Sequence, residues 1–450
     1  MAPDIHQAVA AVLPGVRADL ERLVRIPSVS ADPSRHDEVR RSAAATAALF
    51  EAEGFDTRVV EINGGLPAVI ARRPAPPGQP TVLLYAHHDV QPEGATDAWD
   101  TEPFEPTERD GRLFGRGAAD DKAGIAAHLA AIRAHGADLP VGVTVFIEGE
   151  EESGSQSLPE ILQRYRDLLA SDVIVIADSG NWDIGTPALT ISLRGVADCI
   201  VEVRTLEHAV HSGMWGGVVP DALTALSRLI STLHDDEGNV AVRGLAWGAG
   251  ADLDYPEARL RAEAGVTPGV QLIGSGSIVD RLWNRPAIAV LAIDATSVDK
   301  ASNTLIPMAR AQISLRVGPG DDAVRALGRL TEHLEAHAPW GARVTVTPGE
   351  TGQPFSVDAN GPVYDAAREA FAEAWDGTRA VDMGVGGSIP FIAEFADMFP
   401  SAAILVTGVE DPDTRAHGAN EGLHLAEFAR VCLAEALLLR NLARGGRDQP

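Results

Sequence analysis

Four short apolar runs, residues 81–85, 141–147, 173–177 and 402–406, each break off into a cluster of acids, histidine or both. Continuous apolar runs of this length mark strands buried on both faces. Between them lie stretches of helical spacing. Residues 36–53 alternate apolar and charged positions until Gly54 stops them. Residues 123–134 are alanine-rich and apolar all round, which predicts a helix packed on both sides, and another helix is expected near 158–169. Strands alternating with helices predict an α/β fold built on a mostly parallel sheet flanked by helices. In such sheets ligand sites gather at the carboxyl ends of strands, which is where the polar clusters fall.

The chain has 450 residues, more than one hydrophobic core normally supports, so at least two domains are expected. It opens on an amphipathic helix without the basic leader and apolar core of a signal peptide. Residues 57–62 and 68–72 read as strands around Asn63-Gly64, a hairpin signal. The grammar then changes. Strands at 189–193, 198–204, 287–293, 309–317 and 343–347, with helices at 221–233 and 321–337, follow the order of a two-layer α+β unit of the split-βαβ kind. The division expected is a first domain of residues 1–188 and 356–450, with residues 189–355 inserted in it.

A formal net charge of −27 disfavours nucleic acid and anionic membrane as partners. No window of eighteen uninterrupted apolar residues occurs, so no span is expected. Cys199 and Cys432 are the only thiols, which is no disulfide framework and fits a reducing, cytoplasmic setting. Any metal must then be held by nitrogen and oxygen.

Each polar cluster has an ordinary explanation beside a chemical one. In AHHDVQP (86–92), strand alternation puts His87 and Asp89 on one side and His88 on the other. Asp89 can thus fix the tautomer of a ligating His87, although a lone histidine is more often structural. In GRGAADDK (115–122), adjacent acids open a helix, where a carboxylate commonly caps the first turn. In EGEEESGS (148–155), three successive acids are either solvated or neutralised by a cation. Asp178, in DSGNW, suits a turn equally well, and His417 in its glycine-containing loop is uninformative alone. Jointly, two imidazoles and three carboxylates supply enough ligands for two divalent ions. Zinc, manganese and cobalt all suit them, and paired ions of this sort lie roughly 3.5–4 Å apart.

The motifs YAHHDVQP, GRGAADDKAG, EGEEESGS, HSGMWGG, GGSIP and RAHGANE together resemble the dizinc metallopeptidases that include carnosinase-type dipeptidases, aminoacylases and glutamate carboxypeptidases. They run from about residue 85 to 420 in family order. The resemblance implies that His87, Asp120, Glu152, Asp178 and His417 are metal ligands, with Asp120 bridging two ions, zinc before manganese or cobalt. It assigns Asp89 to the acid behind the first histidine and Glu151 to the general base. It also implies a cis peptide between Asp120 and Asp121. His211, from the inserted domain, becomes the donor to the oxyanion, reaching into the site of a partner subunit in dimeric relatives. Arg316 falls on a substrate-carboxylate arginine, a task that suits a bidentate fork. Asn303 falls on a small polar contact, and Gly386, Gly387 and Ser388 on a backbone cradle. One departure stands out: carnosinase-type relatives often carry Arg-Glu before Gly-Gly-Ser, and here Gly384 and Val385 stand there.

The activity so implied is hydrolysis of the peptide bond of dipeptides or short peptides. A water shared by two cations is deprotonated near neutral pH, Glu151 accepts its proton and passes it to the leaving amine, and His211 helps stabilise the oxyanion. The same site would serve an N-acyl-amino-acid deacylase; Asp178, where deacylase relatives more often carry Glu, tilts the reading toward a dipeptidase. A catalytically silent scaffold of the same fold is the third reading, and it has no chemical need of Glu151 and all five ligands. A small peptide as substrate and a homodimer through the inserted domain complete the expectations.

Overall fold

The computed structural model describes residues 4–248, 250–251, 253–387 and 390–445. The chain divides into two compact units, one of residues 1–191, 358–383 and 394–450, the other of residues 192–357 and 384–393. Residues 384–393, expected with the outer segments, group with the second unit.

In the first unit the sheet runs Asp56–Val60, Ala68–Arg73, Gly142–Glu148, Thr81–His87, Val173–Ile176, Ala403–Val406, Ala188–Leu193. Its four central strands, Gly142–Glu148 to Ala403–Val406, are mutually parallel, and the strands outside them pair antiparallel. The central strands are the apolar runs, and all seven residues of Gly142–Glu148 are buried. The helix Lys122–His135 packs on Thr81–His87 and against the helices Ile5–Val24 and Leu425–Gly445. That double packing is why its residues from Lys122 to Ile132 are all buried.

Two local expectations are corrected. Asn63 and Gly64 both take left-handed backbone angles (φ 53° and 79°), as the turn signal requires. The strand pair nevertheless closes at Val60 and Ala68, so residues 61–67 form a wider loop. The helix expected over 158–169 breaks at Tyr165 into Leu158–Arg164 and Arg166–Leu169.

In the second unit an antiparallel sheet runs Ala287–Asp294, Met308–Val317, Gly195–Arg204, Arg343–Gly352. Strict alternation along Gly195–Arg204 turns Ala197, Cys199, Val201 and Val203 inward. They meet Leu226, Leu229, Leu330 and Leu334 of the helices Ala222–Ser231 and Ala323–Ala336. The strand 189–193 of the sequence reading is not part of this layer; as Ala188–Leu193 it pairs with Ala403–Val406 of the first unit's sheet through Thr190 and Val406. Cys199 and Cys432 are both buried free thiols. Among the described residues no helix is long and apolar enough to cross a membrane.

Candidate metal centre

The strand Thr81–His87 ends by delivering His87, fully buried, to the carboxyl edge of the sheet. Its Nδ1 donates to the Asp89 backbone oxygen at 3.1 Å, with the Asp89 carboxylate 3.5 Å away. This orientation turns Nε2 outward. His88 points the other way, bonded to the Pro67 carbonyl at 2.8 Å. The alternation read from the sequence holds, with the main chain rather than the side chain of Asp89 taking the shorter bond.

Nε2 of His87 lies 3.1 Å from Asp120 Oδ1, 3.8 Å from Asp178 Oδ1 and 4.0 Å from Glu151 Oε2. On the other side, Nε2 of His417 lies 3.1 Å from Asp120 Oδ2 and 3.2 Å from Glu152 Oε2. Two clusters of potential ligand atoms result, one from His87, Glu151 and Asp178, the other from Asp120, Glu152 and His417. Asp120 stands between them with one oxygen toward each imidazole.

The neighbours of these acids resolve what the acidic runs are for. Asp121 caps the helix Lys122–His135, accepting from Gly124 N–H at 3.1 Å, which leaves Asp120 for the cluster. The peptide bond between them is cis. Glu150 faces away and accepts from the amides of Leu66 (2.6 Å) and Ser157 (3.0 Å). Glu152 accepts from Gln91 N–H at 3.0 Å and from Gln91 Nε2 at 2.8 Å. Asp89 Oδ2 accepts from the Glu152 amide at 3.1 Å, tying the two ligand loops together.

Charge in the cluster is short of cations. Burial alone would lower the His87 imidazole, yet Asp120, Asp178 and Asp89 hold it well above the usual range. Bonds to Asp120 and Glu152, against burial, raise His417 to about 11. Burial, reinforced by Asp178 and Glu152, pushes the Glu151 carboxyl well up despite the pull of His87. Burial likewise raises Glu152, while the two imidazoles outweigh burial at Asp120 and hold it low. Each imidazole thus keeps a proton that a divalent cation would displace. A donor set of imidazole and carboxylate with this deficit fits two hard or borderline divalent ions.

The remaining residues of interest belong to the second unit. His211, exposed, closes the short strand Val210–His211, which pairs with Thr304–Leu305, and Ser212 N–H donates to the Asn303 carbonyl at 2.9 Å. His211 and Asn303 are therefore neighbours. His211 Nδ1 accepts from Gly213 N–H at 3.0 Å, so in the neutral ring the proton sits on Nε2. Arg316 is half-buried on Met308–Val317, and its charge acts on buried Arg194. Arg194 donates through Nε to the Gly386 carbonyl at 3.0 Å, and a Cβ on Gly386 would lie 2.7 Å from its guanidinium. Gly387 is open around its Cα, and Ser388 lies outside the described residues. A Cβ on Gly384 would meet Trp283 Cβ at 2.7 Å and Ser192 Oγ at 2.8 Å, which leaves no room for a long side chain there unless a neighbour shifts.

Arg194, Arg116, Glu410 and Glu421 carry no signal in the sequence that sets them apart. Glu410 joins its backbone to the loop after Asp178, where Asn181 N–H donates to its carbonyl at 2.8 Å. Arg116 and Glu421 stand inside two quoted motifs, GRGAADDK and RAHGANE. Their burial, at 1% and 0% exposure, is the signal that only packing supplies.

Residues 83–441 match the model of Peptidase family M20/M25/M40. The cysteinylglycine-S-conjugate dipeptidase of Corynebacterium striatum is 36% identical over 430 residues, covering 94% of each chain. Among solved structures, the dipeptidase Dug1p of Saccharomyces cerevisiae is 25% identical, with a TM-score of 0.80 and 98% of each chain covered. Human carnosine dipeptidase 1 gives the same identity, score and coverage.

Proposed function

Since the chain belongs to peptidase family M20/M25/M40, we propose that it is a metal-dependent dipeptidase that cleaves the single peptide bond of unblocked dipeptides. The observation that carries this reading is the disposition of Asp120, one oxygen 3.1 Å from each imidazole. His87, Asp120 and Asp178 would hold one cation, and His417, Asp120 and Glu152 the other. When bound, the pair supplies Lewis-acid activation of water and of the scissile carbonyl; zinc is the ion we propose first, with manganese and cobalt suited to the same donors.

Both trios are complete without Glu151, whose Oε2 stands farther from His87 Nε2, at 4.0 Å, than either partner carboxylate does. Glu151 is the free acid that takes a proton from the attacking water and returns it to the leaving amine nitrogen. Its burial raises the carboxyl well above the ordinary carboxylate range, which favours a group that holds the proton it takes. Asp89 orients His87. His211 offers an Nε2–H donor for the carbonyl oxygen as it gains charge, with Asn303 beside it. Arg316 binds the substrate carboxylate, and Gly386 and Gly387 form a cradle whose first carbonyl Arg194 fixes.

We further propose a homodimer through the second unit, with His211 serving the partner's site. Exposed Met214, Trp215 and Val218 beside His211, and Leu291 and Ile293 on the edge strand Ala287–Asp294, support a covered face. Two buried free thiols support a cytoplasmic setting.

The relatives bear the names of dipeptidases, so Cys-Gly and β-Ala-His head the substrates to assay with zinc, manganese and cobalt. N-acetyl and N-succinyl amino acids form the contrasting set for the deacylase reading, which no observation favours. Turnover of free dipeptides is the expected result; hydrolysis of the blocked compounds alone would end the proposal.

A further inference from the structure

One fully buried carboxylate, on Glu421, collects four hydrogen bonds from the loop that carries Asp120. Its Oε2 accepts from Arg116 Nη1 at 2.6 Å and Gly117 N–H at 3.1 Å, and its Oε1 from the amides of Ala119 (3.0 Å) and Asp120 (3.1 Å). Arg116 reaches in two further directions through Nη2, to the Gly418 carbonyl at 3.1 Å and the Pro92 carbonyl at 3.3 Å. Gly418 follows His417, and Pro92 ends the loop of His87, Asp89 and Gln91. The pair therefore touches three of the loops that converge on the cluster: the one before Asp120, the one after His87, and the one around His417.

We propose that Glu421, together with Arg116, is a positioning unit that sets the spacing of Asp120 and His417 for cation binding, although neither side chain is itself a ligand. The proposal rests on the two-cation reading above. The physical reason is that Asp120 must aim its two oxygens in opposite directions while His417 sits on a loop with a left-handed backbone (φ 63°). No helix or sheet ladder holds either residue. A buried carboxylate bound to consecutive amides fixes the first loop as a rigid template, and the guanidinium fork transmits that position to the second. Gln at 421 would bring an NH2 group against donors already pointing inward, so at least one contact must fail.

A control lies on the same seam. Arg112 pairs with buried Asp411 through Nη1 at 2.9 Å and Nη2 at 2.6 Å, and the strands Arg112–Phe114 and Gly422–His424 run between both pairs. Arg112 also donates through Nη1 to the Gly422 carbonyl at 3.2 Å, beside Glu421, but among the described residues it makes no bond to the Asp120 loop. The experiment uses metal-stripped full-length protein: wild type, Glu421→Gln, Arg116→Lys and Arg112→Met. Zinc and cobalt affinities are measured by competition with a chelator, metal-to-protein ratios by elemental analysis, and folding by thermal melts of the stripped forms.

Wild type is expected to bind two ions. Glu421→Gln should bind at least one of them about 10–100-fold more weakly, and Arg116→Lys, the milder variant that keeps the charge, should show a smaller loss. Arg112→Met should melt earlier yet keep wild-type affinity. Unchanged affinity in both Glu421→Gln and Arg116→Lys would overturn the proposal, as would an equal loss in Arg112→Met, which would reduce the effect to general weakening of the seam. Wild type that binds fewer than two ions would overturn the metal reading itself, a result distinct from the first two.

Discussion

Asp120 and Asp121 are adjacent, chemically identical and differently employed. One caps a helix and the other faces two imidazoles. The run Glu150-Glu151-Glu152 divides in the same way, with Glu150 turned to the amides of Leu66 and Ser157. Sequence alone leaves such runs unparsed because they occupy loops and a short 3-10 turn, Glu151–Ser153, where no period of two or 3.6 tells which way a side chain points. The resemblance to a family, not the local pattern, separated them. Two outcomes follow at this scale. Glu151→Gln should retain both cations and lose turnover by about 10²–10⁴-fold, measured as kcat alongside metal content. Asp120→Asn should weaken both cations together; loss of only one would deny it the shared position.

Elements were more legible than residues. The central strands announced themselves as apolar runs, and the helix Lys122–His135 as an alanine-rich segment without a polar face. What periodicity could not supply is how that helix satisfies its buried polar groups. His128 lies in its middle, fully buried, with Nδ1 2.9 Å from both Glu435 oxygens and Nε2 2.9 Å from the Tyr85 carbonyl. One ring thus joins two helices and the strand Thr81–His87. Burial opposes its charge, but Glu435 and the Tyr85 carbonyl raise it above the ordinary imidazole value. The associated stability is fully present below the unfolded value, near 6.5, and is lost as pH rises through the higher folded one. His128→Asn should therefore cost about 3–5 kcal/mol at pH 6, the usual penalty for stranding a buried partner. The gap from wild type should narrow as pH rises, as urea unfolding at pH 6, 7.5 and 9 would register. A constant gap would mean that the ring does not titrate across this range.

For the molecule as a whole, a change in pattern near residue 189 signalled a second unit, since a switch from buried runs to alternating strands reflects a sheet with one covered face. Its membership was less legible. Residues 384–393 join the second unit across a long sequence gap, an allegiance set by contacts that no local signal encodes. If His211 serves a partner's site, mixing His211→Ala with Glu151→Gln should restore up to about a quarter of wild-type activity per chain once subunits exchange, by random pairing in a dimer. Exchange proven by mass, with no recovery of rate, would assign each site to a single chain.

Only two lysines occur in the sequence, Lys122 and Lys300. The first is sealed beside the Asp120 loop, its ammonium donating to the Leu23 and Ile26 carbonyls at 2.9 and 2.8 Å, and the second is exposed. Among side chains, amine-directed coupling to a bead, a dye or an electrode would thus find a single handle, and immobilised protein would hang from its second unit with the acid–imidazole cluster left chemically untouched.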